Sequence, residues 1–250
     1  MRILLTNDDG INAPGMQVLS EIAAKLSDDV WIVAPDTEQS GTAHSLTIHT
    51  PLRIKKHSER KFSVSGTPTD SVLMAAQVVL KDKKPDLVLS GVNLGSNLGE
   101  DVTYSGTVAG AMEGALLGIH SIALSQDHAD YFEPNFDVAL AHGEKTIRTL
   151  LDLEWPSHLL MNVNFPSVKP SEVKGIKPIR QGKRKIGICH KEEHDPRGRP
   201  YYWITTRRDE SLDIAPSDLS VVRDGYISLT PLGLDLTEYN MLKELEEKSL

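Results

Sequence analysis

Ile3-Leu4-Leu5 is a short apolar run that stops at the polar turn Asn7-Asp8-Asp9-Gly10, and Val30-Trp31-Ile32-Val33-Ala34 stops likewise at Pro35-Asp36. Both predict buried strands. Between them Met16, Leu19, Ile22, Ala23 and Leu26 recur at helical spacing behind Pro14, a residue suited to the first turn of a helix. A strand, a helix and a strand in this order make a right-handed parallel unit, and strands this apolar need helices over both faces of their sheet. The expected class is α/β, a three-layer α/β/α sandwich with a mostly parallel sheet.

The pattern continues along the chain. Thr47-Ile48-His49 and Leu52-Arg53-Ile54 alternate around Pro51 and predict a pair of hairpin strands. Thr67-Pro68-Thr69-Asp70 opens a helix, with Thr67 as cap and the Asp70 carboxylate near its positive end. Leu87-Val88-Leu89-Ser90 is a further buried strand, followed by an asparagine- and glycine-rich segment and a small-residue helix over Thr107 to Leu116. Ser121 to Leu124, a helix from about Phe136 to Leu151, and a strand over Leu160 to Asn164 extend the core. From Lys174 to Tyr202 the texture turns basic and turn-rich, before a strand at Tyr226 to Leu229 and a helical stripe at Tyr239, Leu242 and Leu245. We divide the chain into a core, 1–165, and a C-terminal extension of hairpin and helix, 166–250, which can equally complete a single domain. The only internal echo is Val92-Asn93-Leu94-Gly95 with Ser96-Asn97-Leu98-Gly99, so a solenoid is excluded.

Charge narrows the partners. Lysine plus arginine total 27 against 35 for aspartate plus glutamate, a net charge of −8 in 250 residues, which opposes wholesale binding to nucleic acid or anionic lipid. An anionic ligand would need a local positive centre. Cys189 is the only cysteine, which excludes an intrachain disulfide framework and cysteine-rich metal modules and suits a reducing compartment. No signal-like segment opens the sequence and no run approaches the ~20 apolar residues of a membrane span. The expected location is cytoplasmic, with no membrane partner.

Open α/β sheets bind ligands beyond the carboxyl ends of their parallel strands, so the loops there should converge on one crevice. They carry Asp8 and Asp9 after the first strand, Gln39-Ser40-Gly41-Thr42 after the second, and Asn93, Asn97, Glu100 and Asp101 after the Leu87 strand. Every donor is an oxygen. Adjacent carboxylates repel unless a cation or proton lies between them, and hard oxygen ligands select magnesium, manganese or calcium. The plainer reading of Asp8-Asp9-Gly10 is a solvated turn, and of Ser40 or Asn93 a loop hydrogen-bonder. Tyr104-Ser105-Gly106-Thr107 starts the next helix, where free backbone N–H groups can hold a phosphate, or Ser105 can simply cap. The chain lacks Gly-x-Gly-x-x-Gly after its first strand, the Gly-x-x-x-x-Gly-Lys of a nucleoside triphosphatase and the Gly-x-Ser-x-Gly of a serine hydrolase.

Leu4 to Gly10, Ser40-Gly41, Ser65 to Asp70, the long segment from Ser90 through Asp101-Val102-Thr103-Tyr104-Ser105-Gly106-Thr107-Val108 to Gly114, Pro196 to Trp203 and Gly225 to Leu232 together resemble the SurE family of stationary-phase survival proteins. The likeness runs along almost the whole chain. It implies a Rossmann-like core and a metal-dependent 5′-nucleotidase, with secondary action on 3′-nucleotides and short polyphosphate. It places metal ligands at Asp8, Asp9, Ser40 and Asn93, for one divalent cation per subunit, magnesium or manganese. Phosphate contacts fall on Asn97, Ser105, Gly106 and Thr107. The resemblance further implies that the C-terminal extension exchanges elements between subunits in a homodimer or homotetramer. Thr69 and Ser71 stand where family members often have alanine and cysteine.

In the mechanism this suggests, Asp8 orients or deprotonates a water attacking in line, although sequence does not separate it from Asp9. Two other readings use the same acids. Direct attack by Asp8 would give an aspartyl phosphate, but enzymes of that kind use Asp-x-Asp, and a phosphorylation-controlled receiver module would need an aspartate where Asn93 stands. Elsewhere, Arg180 to Lys185 reads as a solvated hairpin or subunit contact, and Cys189-His190 with His194 is too sparse for zinc. Tyr201-Tyr202-Trp203 reads as a half-buried strand or interface, and the stripe from Leu236 to Leu245 clasps another subunit or folds back on its own core.

Overall fold

The computed structural model describes residues 1–128, 134–209 and 216–248, without the side chains of 185–188 and 205–209. The first strands form where the apolar runs predict them: β1 (Arg2–Thr6) lies parallel to β2 (Asp29–Pro35) and to β5 (Leu87–Leu94). Helix α1 (Pro14–Ala24) makes the crossover. Beyond β5, β6 (His120–Gln126) and β7 (Leu159–Phe165) continue the parallel order. On the far side of β2 lie β4 (Lys61–Val64), parallel to it, and β3 (Ile54–Ser58), antiparallel to β4. β11 (Ile227–Gly233) joins the sheet antiparallel to β7, with β8 (Ile176–Pro178) outside it. The result is a nine-stranded sheet in the order β3-β4-β2-β1-β5-β6-β7-β11-β8.

Because successive strand residues face opposite sides, the apolar runs split between two layers. Ile3, Leu5, Leu87, Leu89, Ile122 and Leu124 pack under α1 and α4 (Asp137–Leu151), with Met16, Leu19, Ile22 and Ile147 as the helical partners. On the opposite face Leu4 and Val88 meet Val72 and Ala75 of the segment containing α2 (Pro68–Met74). Ala123 and Leu160 meet Val108, Ala111 and Ala115 of α3 (Gly106–Leu116). Helices on both faces confirm the three-layer α/β/α sandwich. Helix α3 sits close because it lacks side chains where it touches the sheet: a Cβ at Gly110 would come within 2.8 Å of Ser90 Oγ, and one at Gly114 within 2.3 Å of Ser121 Oγ.

The expected hairpin around Pro51 is a correction. Thr47-Ile48-His49 forms no strand, and Leu52-Arg53-Ile54 contributes only Ile54; the hairpin is instead β3 with β4. Ile48 is 75% exposed, so alternation there buries nothing. The segment is held by polar tethers, Thr67 Oγ1 donating to Ser45 O at 2.8 Å and Thr47 N–H donating to an Asp70 carboxylate oxygen at 3.1 Å.

The C-terminal part supplies four further elements among the described residues. β9 (Lys185–His194) and β10 (Pro200–Asp209) form a separate two-stranded antiparallel sheet, so Tyr201-Tyr202-Trp203 is a strand and its rings are exposed. Helix α5 (Asp218–Arg223) packs Leu219 and Val222 on Leu98, and α6 (Tyr239–Glu247) buries none of its residues. Among the described residues no helix is long and apolar enough to cross a membrane.

Candidate active site

The carboxyl ends of β1, β2 and β5 and the start of α3 meet at one edge of the sheet. Asp8 follows β1 and is buried, with one carboxylate oxygen accepting the hydroxyl proton of Thr107. The Thr107 backbone N–H also faces this carboxylate, so the positive end of α3 is aimed at Asp8. The approach depends on Gly106, where a Cβ would lie 2.8 Å from Asp8 Cβ and 3.0 Å from Asp8 Oδ2. Ser105 spends its hydroxyl as the helix cap, accepting from Val108 N–H at 3.0 Å. The cap uses a lone pair of that hydroxyl and leaves its proton to donate.

The other loops are tied to this centre through the backbone. Gln39 N–H donates to Asp8 O at 2.7 Å and so draws in the loop carrying Ser40, whose own hydroxyl donates to Glu38 Oε1 at 3.0 Å. The Leu94 backbone N–H at the end of β5 faces the Asp9 carboxylate. Beside it Asn93 donates from Nδ2 to Gly95 O at 2.8 Å, which leaves its side-chain carbonyl oxygen as the donor atom for a ligand. Asn97 is 7% exposed, with one Nδ2 proton donated to Ser125 Oγ at 2.8 Å. The structure therefore brings Asp8, Gly106 and Thr107 together, and ties Asp9, next to Asp8, to the Leu94 N–H one residue beyond Asn93. It ties the Ser40 loop to Asp8 and places Asn97 in a buried network at the neighbouring strands.

Electrostatically the pair is under tension. Burial pushes the Asp8 carboxyl up, opposed by its hydrogen bond from Thr107. Burial and then the Asp8 charge push Asp9 up to about 7, with Glu38 adding in the same direction. A cation between such groups removes the repulsion that burial magnifies. Glu38 escaped the sequence reading, since a single glutamate after a strand is an ordinary loop residue.

Two secondary features resolve on geometry. Within the basic run, Arg184 is buried and pairs with Asp101 on the loop before α3. Cys189, His190 and His194 all lie on β9, where neighbours point to opposite faces and four residues span about 13 Å, too far for His190 and His194 to share one ion.

Fold and site together define a doubly wound α/β protein with an acidic, all-oxygen centre at the mouth of its parallel strands, facing a helix N-terminus. Residues 3–187 match the family described as Survival protein SurE, and the chain belongs to that family. It is 55% identical over 246 residues to the 5′-nucleotidase SurE of Paramagnetospirillum magneticum, covering 98% of this chain and 95% of the relative. The 5′-nucleotidase SurE of a Bradyrhizobium species is 52% identical over 243 residues, 95% of each chain. The crystal structure of the SurE protein from Aquifex aeolicus superposes with a TM-score of 0.85 at 42% identity, over 100% of both chains.

Proposed function

We propose that this chain is a divalent-metal-dependent 5′-nucleotidase that hydrolyses nucleoside 5′-monophosphates to nucleoside and phosphate. The observation that carries the reading is its 55% identity, over 98% of its length, to a protein named for that activity. The donor set fits the cation: two carboxylates, the Asn93 amide oxygen and the Ser40 hydroxyl are hard oxygen ligands of the kind magnesium and manganese take. When bound, the cation supplies charge stabilisation at the phosphoryl oxygens. Asp8, fixed from one side by Thr107 and Gly106, orients the attacking water in line with the leaving 5′-oxygen and takes its proton. The first-turn N–H groups of α3 and the Asn97 amide hold non-bridging oxygens, so an acidic protein offers a local cradle for an anion. The same site takes 3′-nucleotides and short polyphosphate as secondary substrates. The working unit is a homodimer or homotetramer, and the single cysteine suits the cytoplasm.

The test is phosphate release from the nucleoside 5′- and 3′-monophosphates and polyphosphate, with magnesium, manganese or cobalt and with a chelator. Release from 5′-monophosphates that the chelator stops and added metal restores is expected. Undiminished release in chelator would overturn metal dependence, and no release from any nucleotide would overturn the activity.

A further inference from the structure

β6 and β7 carry polar side chains where buried strands normally carry apolar ones. Asn162 and Asn164 are two apart on β7 and share a face; Ser125 pairs in register with Asn164, and Ala123 with Asn162. Ser125, Asn162 and Asn164 are all fully buried. Hydrophobic residues would pack there without any need for partners, whereas a buried amide costs stability unless it is satisfied. The partner is Asn97 of the loop between β5 and α3, which meets both groups of Asn164 but only the Nδ2 of Asn162, whose Oδ1 makes no hydrogen bond among the described residues. Asn164 treats it as an adjacent strand would, accepting its backbone N–H on Oδ1 at 2.7 Å and donating from Nδ2 to its carbonyl at 3.2 Å. Asn162 Nδ2 donates to the same carbonyl at 2.9 Å. Ser125 Oγ then accepts the side-chain amide of Asn97 at 2.8 Å.

Both backbone groups of Asn97 and one of its two side-chain N–H bonds are thus occupied by three buried residues, so neither its backbone nor its side chain is free to rotate. We propose that Ser125, Asn162 and Asn164 are positioning residues that hold Asn97 in the orientation from which its remaining side-chain N–H serves the phosphoryl group. The assignment rests on the reading of Asn97 as a phosphate contact in the proposed function. Ser125 acts only through the Asn97 side chain, while the two asparagines act through its backbone. Replacing Ser125 should therefore matter only as long as Asn97 is present.

That dependence is the test. In full-length protein with manganese, kcat/KM for 5′-AMP and the affinity for inorganic phosphate are measured for wild type, Ser125→Ala, Ser125→Thr, Asn97→Ala and the double variant Ser125→Ala/Asn97→Ala. Removing one orienting hydrogen bond is expected to lower kcat/KM and phosphate affinity about tenfold in Ser125→Ala. Ser125→Thr, which keeps the hydroxyl, should recover most of the loss. In the Asn97→Ala background the Ser125 substitution should change either quantity less than about twofold, since coupled residues are not additive. Independent, multiplying effects of the two substitutions would overturn the proposal. So would a Ser125→Ala variant that lowers the thermal midpoint but leaves kcat/KM and phosphate affinity unchanged. Should the wild type release no phosphate from any nucleotide, the function reading falls, while the cycle is still read on the affinity for inorganic phosphate.

Discussion

Asp8 and Asp9 put two carboxylates side by side in a partly dehydrated site; burial raises both above the ordinary range, and the Asp8 charge raises Asp9 further. Such a pair is costly in the metal-free protein, so neutralising one member should not unfold it. Asp9→Asn is expected to keep or raise the thermal midpoint in chelator while abolishing phosphate release; retained turnover would show that Asp9 is dispensable to the chemistry. Gly106 tests the other side of the same contact. An alanine methyl there would sit 2.8 Å from Asp8 Cβ and 3.2 Å from Pro68 Cγ, so something must move. Overpacking of this kind costs about 1–3 kcal/mol. In Gly106→Ala, kcat/KM should fall at least about tenfold because Asp8 is the nearest group able to shift. Urea denaturation alongside kinetics separates the two effects, and a fully active variant would mean that Asp8 has slack the structure does not show.

Among the elements, α2 shows how local sequence becomes structure. Thr67 Oγ1 accepts Asp70 N–H at 3.1 Å while an Asp70 carboxylate oxygen accepts Thr67 N–H at 2.9 Å; the Thr67 cap was legible from Thr67-Pro68-Thr69-Asp70 alone, and the return bond from Asp70 is what the structure adds. The same hydroxyl also holds Ser45, so Thr67→Ala should destabilise by about 1–2 kcal/mol, read as a lower urea midpoint at unchanged slope. An unchanged midpoint would show that the cap is redundant. The parallel strands and their helices were legible for a like reason: β1, β2, β5, α1 and α4 each carry a periodicity strong enough to determine their own burial. The Thr47 to Ile54 hairpin misled because alternation marks a strand only where one face is covered, and Ile48 faces solvent. At the site, acids at the end of β1 could be read because strand ends in this architecture point into the crevice. The anchoring of Asn97 could not, since its partners Ser125, Asn162 and Asn164 lie 28 to 67 residues away and nothing local links them.

At the scale of the molecule, two elements have too little cover within one chain. Helix α6 has nine residues, none of them buried, and Leu236 just before it is 93% exposed. A helix this short is marginal in water on its own propensity, and a two-stranded sheet such as β9 with β10 is marginal without packing. On β10, Trp203 is 62% and Ile204 78% exposed. Every copy of the chain carries both an uncovered helix and an uncovered hairpin, so a second copy can bury them in a closed, symmetric exchange, as the proposed oligomer requires. Tyr239, Leu242 and Leu245 recur along one stripe of α6, the side from which such an exchange would draw its apolar area. Carboxylates on that stripe should oppose assembly without touching the acidic centre. Leu242→Glu with Leu245→Glu is therefore expected to move the sedimentation-equilibrium mass from a multiple of the 27.5 kDa chain toward 27.5 kDa itself. A wild-type protein that sediments as a monomer at micromolar concentration would remove the premise, and a double variant that stays assembled would place the interface away from α6.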